Sequence, residues 1–216
     1  MHSEIPAIYT DKYGTIQTTI INDSLTLTIE LDGSTFSGST FVFFEPETSD
    51  SLPGRFTLGE LGQLINYTLS CSIPISTWKE GIQIPGFLLT EVAYNEDETR
   101  RDHNAPYFHF SFELEDEIIP LGKLSQFEGV FEILREKLPD NIIVKTCYTC
   151  LYSDYSVYGS DIFGTMLCFR NVKEAYVKVK DKGEYMDIMD HFDRHVQETY
   201  LCEDFAPRTK DVGYRG

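Results

Sequence analysis

Apolar and polar residues alternate with a period of two through much of the first half of the chain. Residues 15–21 and 25–31 are rich in β-branched side chains, and the second run alternates strictly between apolar and polar positions. Asn22-Asp23-Ser24 lies between them, and Asp32-Gly33-Ser34 and Ser37-Gly38-Ser39 bound the next turns. This part of the chain, 15–45, therefore predicts an antiparallel meander with one wet face. Residues 67–73, 87–94 and 107–114 return to the same period, and Phe108, Phe110, Phe112 and Leu114 share one face of the last. The charged run over 95–102 contains no apolar residue and reads as an exposed loop.

The period changes to that of a helix over 126–138. Phe127, Val130, Phe131, Leu134 and Leu138 form one stripe, Ser125 is the expected N-cap with Glu128 three residues on, and Pro139 lies just past the end. Thr57-Leu58-Gly59-Glu60 has the form of a capping box and, with Leu61 and Ile65, predicts a short helix against two glycines. A buried strand is expected over 141–146, a second long helix over 172–192 with a break near Gly183, and a last strand over 196–202. Strands outnumber helices without β-α-β alternation. The fold class this implies is α+β: a mainly antiparallel, sandwich-like scaffold with two or three helices and a cysteine-rich C-terminal knot. With no Pro-, Gly- or Ser-rich linker, the expectation is one domain, 1–216, made of a β-rich scaffold (1–124) and a helix plus cysteine-tied part (125–216).

The cysteines bring in the first chemistry. Cys147-Tyr148-Thr149-Cys150 is a tight turn that can aim two sulfurs at one ion, and Cys168 and Cys202 would complete a tetrahedral shell for a structural Zn2+. Buried unliganded thiols and a redox pair are the alternatives to this leading reading. The redox reading needs a cation or helix N-terminus beside Cys147, and Lys145 is the one nearby base. Cys71, inside an apolar strand, reads as core. Tyr152, Asp154, Tyr155 and Tyr158 follow the turn as a candidate partner-binding loop, or as a cover over the knot.

His191 and His195 are four apart, but without an HExxH signature they read as solvated helix-end histidines. Glu113, Glu115, Asp116 and Glu117 read as solvated edge protection for the sheet. G-x-S-x-G, P-loop and G-x-G-x-x-G motifs are all absent from the sequence.

Charge narrows the partner. The net charge is −17, and the first fifty residues carry eight acids against one base. Such a surface repels nucleic acid and anionic lipid and would speed encounter with a basic protein, while the plainer reading is that the acidity keeps the protein soluble. No signal peptide or membrane-spanning run is visible, so the expectation is a soluble, cytoplasmic protein.

The stretches C-Y-T-C-L-Y-S-D-Y-S-V-Y-G (147–159), C-F-R (168–170), V-Q-E-T-Y-L-C (196–202) and G-Y-R-G (213–216) resemble an uncharacterised bacterial protein family, a domain of unknown function. Its members carry a proline where this chain has Val157. The resemblance is good over the last seventy residues or so and loose over the β-rich part. It implies that the four cysteines belong together and that the source is bacterial, and it carries no activity. The resulting expectation is a non-enzymatic acidic binding protein, an immunity or antitoxin-type inhibitor of a basic toxin. The alternatives are a thiol- or metal-dependent enzyme using the CxxC, and an adaptor that binds through the tyrosine loop. Neither the oligomeric state nor the partner's identity is encoded in these patterns.

Overall fold

The computed structural model describes residues 3–48, 54–95, 106–210 and 212–215. Most of the charged run at 95–102 lies outside them. Among the described residues the structure is mostly antiparallel β, about 46% strand, with three short helices. It divides into two compact units, Met1–Pro74 with Phe87–Ser125, and Ile75–Gly86 with Gln126–Gly216.

The first unit is one nine-stranded sheet that curls into a half-barrel, and not the two packed sheets that a sandwich requires. Its strands are β1 (Ser3–Asp11), β2 (Gly14–Asn22), β3 (Leu27–Leu31), β4 (Ser34–Thr40), β5 (Phe43–Pro46) and β6 (Tyr67–Pro74). After the hairpin of β7 (Thr77–Lys79) and β8 (Ile82–Ile84), which belongs to the second unit, come β9 (Gly86–Tyr94), β10 (Tyr107–Leu114) and β11 (Glu117–Leu124). The order across the sheet is β11-β10-β9-β6-β1-β2-β3-β4-β5.

Period-two patterning decides which face is buried. Ile5, Tyr9, Ile20, Ile29, Phe36, Leu69, Leu88 and the expected trio Phe108, Phe110 and Phe112 are all at most 1% exposed. Tyr9 stacks on Tyr67 at 5.4 Å, and Tyr67 donates its hydroxyl to the carbonyl of Phe41. Asp32 and Gly33, at φ 46° and 77°, make the tight β3–β4 turn, whose left-handed backbone matches the twist of the strands. Cys71 is core, as expected, and burial pushes its thiol up to about 12.

Two features differ from the sequence reading. β1 is a central strand although it contains Pro6. Pairing of β1 with β6 covers only Ala7 to Asp11, so the missing N–H of Pro6 breaks no bond in that ladder. The stretch at 57–65 is a looped turn closed by a Leu58–Leu64 bridge, not a helix, because the Gln63 side chain packs against Gly59 and accepts from the N–H of Leu61.

The second unit is built from short elements. The helix α1 (Phe127–Lys137) buries Phe127, Val130, Phe131 and Leu134 as expected, but Gln126 and not Ser125 occupies the N-cap, without a side-chain cap bond. β12 (Ile142–Val144) pairs with β7 to complete a three-stranded sheet with β8, and it is half-exposed where a buried strand was expected. β13 (Ser153–Asp154), β14 (Met166–Cys168) and β15 (Arg194–Val196) form another. The expected long helix over 172–192 is instead a 3-10 turn (Arg170–Val172), α2 (Lys173–Tyr176) and α3 (Lys182–Met189). Asp181 caps α3 by accepting from the N–H groups of Gly183 and Glu184. The strand expected over 196–202 ends at Val196.

Candidate functional site

The CxxC segment is a double turn: Thr149 N–H donates to Thr146 O and Cys150 N–H to Cys147 O, both at 3.1 Å. Thr149 Oγ1 braces it by donating to the carbonyls of Val144 and Thr146 and accepting from the N–H of Thr146. β14 delivers Cys168 opposite Ser153 and Arg194 in its two ladders. The chain around Cys202 returns through Tyr200, whose carbonyl accepts from the N–H of Cys147 at 2.5 Å.

Burial, followed by the proximity of Cys150, Cys202 and Cys168, pushes the Cys147 thiol well above its usual range, with Arg194 acting the other way. Cys168 is raised by burial too, while Cys202 and Cys150 add to the shift and the Arg170 backbone N–H opposes it. Cys147 is thus within electrostatic reach of the other three sulfurs, and Cys168 of Cys150 and Cys202, and no disulfide links them. Two of them accept backbone N–H bonds from the residue two places on: Cys150 from Tyr152, at 3.5 Å, and Cys168 from Arg170. Among the described residues, no group of three or more His, Cys, Asp or Glu is arranged as a metal shell.

The candidate partner loop is turned largely inward. Asp154 is fully buried, Tyr155 is 7% exposed and Tyr152 is half-buried beneath Lys173, so Tyr158, at 78%, is the member of the set that faces solvent. Asp154 is the centre of a polar hub. Its carboxylate accepts from Tyr155 N–H at 2.9 Å, Tyr176 hydroxyl at 2.8 Å, the N–H groups of Tyr214 and Arg215 at 3.1 Å, and Arg215 Nε at 2.9 Å.

Arg215 also donates to the carbonyls of Tyr148 and Ser153, and its guanidinium lies 4.4 Å from the Tyr148 ring centroid. Arg208 reaches Tyr176 and the Ser153 carbonyl and sits 3.9 Å from Asp154. A buried charge held by this many charge-assisted bonds is structural, and it pins the chain's last turn onto the CxxC loop.

Next to the hub, Tyr155 hydroxyl donates to Glu198 Oε1 at 3.1 Å and Gly164 N–H to Glu198 Oε2 at 2.7 Å. Burial pushes the Glu198 carboxyl up to about 7, with these donors and Arg215 partly opposing the shift. The sequence reading passed over Glu198 and Arg215. Neither has a spacing signature, although the V-Q-E-T-Y-L-C stretch contains the first and the closing G-Y-R-G the second. His191 and His195 do not share a helix face, since His195 lies in β15, and both are exposed.

The β unit presents a different surface. Register rows run Ile8–Ser70–Glu91, Glu4–Ile21–Thr28 and Ser37–Glu45, so Glu4, Glu30, Glu45 and Glu91 occupy one outward face. Glu91 also lines a shallow cavity of about 530 Å³ with Ile8, Ser70, Leu89, His109 and Ser111, and Glu113 continues the outward positions of β10. Lys123, opposite His109, is the one cation among the described strand residues of this unit, and it lies over the Tyr107 ring. Over its full sequence this unit carries 18 acids and 5 bases, against 17 and 13 for the other.

A family model described as a family of unknown function, DUF6304, matches residues 3–153. That range holds the whole β-rich part and ends just after the CxxC turn, so Cys168, Cys202 and the closing motif lie beyond it. No curated protein and no solved structure matches the chain. No helix among the described residues is long and apolar enough to cross a membrane.

Proposed function

The chain belongs to the DUF6304 family, whose function is unknown, and from that premise we propose that it is a non-enzymatic binding protein that recognises a basic protein through the acidic face of its β unit. The observation that carries this reading is the placement of charge. The unit with 18 acids and 5 bases aligns Glu4, Glu30, Glu45, Glu91 and Glu113 on a single sheet face, among serines, threonines and the exposed Ile8 and Ile21. An array of this kind steers a cationic partner and sets register more than it adds raw affinity. A bacterial immunity or antitoxin-type inhibitor that neutralises a basic toxin is the setting this chemistry fits. Affinity capture from the source cells at low salt tests it. A basic protein that elutes as salt rises supports the reading, and recovery of no stable partner contradicts it.

The second unit has a supporting part. We propose that Cys147, Cys150, Cys168 and Cys202 hold one structural Zn2+, which would neutralise their mutual repulsion and tie three separate segments together. What supports this is the donor set itself: four unpaired sulfurs in one neighbourhood, two with N–H donors, and Arg170 and Arg194 nearby. A closed four-thiolate shell leaves no position for substrate. Metal analysis is expected to find one zinc per chain, lost in Cys168→Ser and Cys202→Ser. Metal-free protein with one fast-reacting cysteine would instead favour thiol chemistry.

A further inference from the structure

The second unit contains a groove of opposite character to the acidic face, with a cavity volume of about 440 Å³. Its floor is apolar: Leu138, Ile142, Val144 and Phe205 are half-buried there, and Leu134 lies beneath. Four cations, Arg135, Arg208, Lys210 and Arg215, line it against one acid, Asp140. Arg208 and Arg215 spend their charge on Asp154, but Arg135 and Lys210 are exposed and have no ion-pair or hydrogen-bond partner among the described residues.

We propose that this groove binds a small amphipathic carboxylate, its apolar body on Leu138, Ile142, Val144 and Phe205 and its anionic head between Arg135 and Lys210. The volume is in the range of small-molecule sites, and a mainly apolar wall with a few charged groups fixing orientation is how such sites are built. A peptide fits less well. β12, the edge strand lining the groove, has only three residues, and its Val144 carbonyl already accepts from Thr149 and its Ile142 N–H donates to Pro139, which leaves too little for an added strand to pair with. The ligand's charge follows from the rim, where an amine would meet the same cations with repulsion.

Calorimetric titration of the whole protein with decanoate, decanol and decylamine tests this. Decanoate is expected to bind saturably at one site, with decanol at least tenfold weaker and decylamine not detectable. Arg135→Gln combined with Lys210→Gln changes two exposed side chains and should leave the Trp78 fluorescence unaltered while weakening decanoate at least tenfold. Equal binding of decanol and decanoate, unchanged decanoate affinity in the double variant, or no decanoate binding would each overturn the proposal. So would binding of an acidic, apolar decapeptide in decanoate's place.

Discussion

The two units are stabilised in opposite ways. In the β unit, nine strands share one long ladder, and most buried side chains are aliphatic or aromatic, with Asn22, Thr40, Gln63, Thr90 and Cys71 among the exceptions. In the second unit the elements are short, and a buried carboxylate, two arginines, several tyrosines and four cysteines occupy the places where a larger domain would put leucines. An apolar ladder tolerates single polar changes on its wet face. A polar hub does not tolerate the loss of one partner, because the remaining charge stays buried and unpaired.

The largest expected effect follows from that contrast. Arg215→Met leaves Asp154 short of its ion pair and should destabilise the second unit by about 3–5 kcal/mol. Urea titration followed by Trp78, the sole tryptophan, which lies in β7 of this unit, reads the loss directly. A loss below 1 kcal/mol would show the hub to be dispensable.

Next is a pH effect. The Glu198 carboxyl titrates near 7 when folded and near 4.5 as an ordinary carboxylate, so the native state holds the extra proton between those values. Its contribution is therefore full below about 4.5 and is lost as pH rises through about 7, up to about 3 kcal/mol. Glu198→Gln should flatten that slope in stability measured from pH 5 to 8.

Smaller still is Gly213→Ala. Gly213 has φ 76°, and an added Cβ would collide with the Tyr176 hydroxyl, so a cost of about 1–3 kcal/mol is expected in the same titration. Smallest is Glu91→Gln on the β face, which should move stability by less than about 0.5 kcal/mol.

The same contrast explains what could be read from sequence. Strands such as β10 were legible because Phe108, Phe110 and Phe112 repeat at the pleat's own period, and α1 because its stripe has one meaning. β1 was missed because Pro6 hid the alternation of Ile5, Ala7 and Tyr9, and the β7–β8 hairpin because its Glu80-Gly81 turn joins strands of three residues. The CxxC turn was legible, since that spacing is a motif. The inward aim of Asp154 and Tyr155 was not, because nothing local says that a carboxylate will be met by Arg215 from 61 residues away. Partners brought together by tertiary structure leave no period in the chain.

The proposed division of labour, recognition by the β unit and scaffolding by the hub, is tested most directly by comparing two variants in the same capture experiment from source cells. One replaces Glu4, Glu30, Glu45 and Glu91 with glutamine, and the other is Tyr158→Ala in the exposed part of the tyrosine loop. The account predicts that the glutamine variant folds normally and loses a basic partner that Tyr158→Ala retains. Retention by the glutamine variant together with loss in Tyr158→Ala would contradict it.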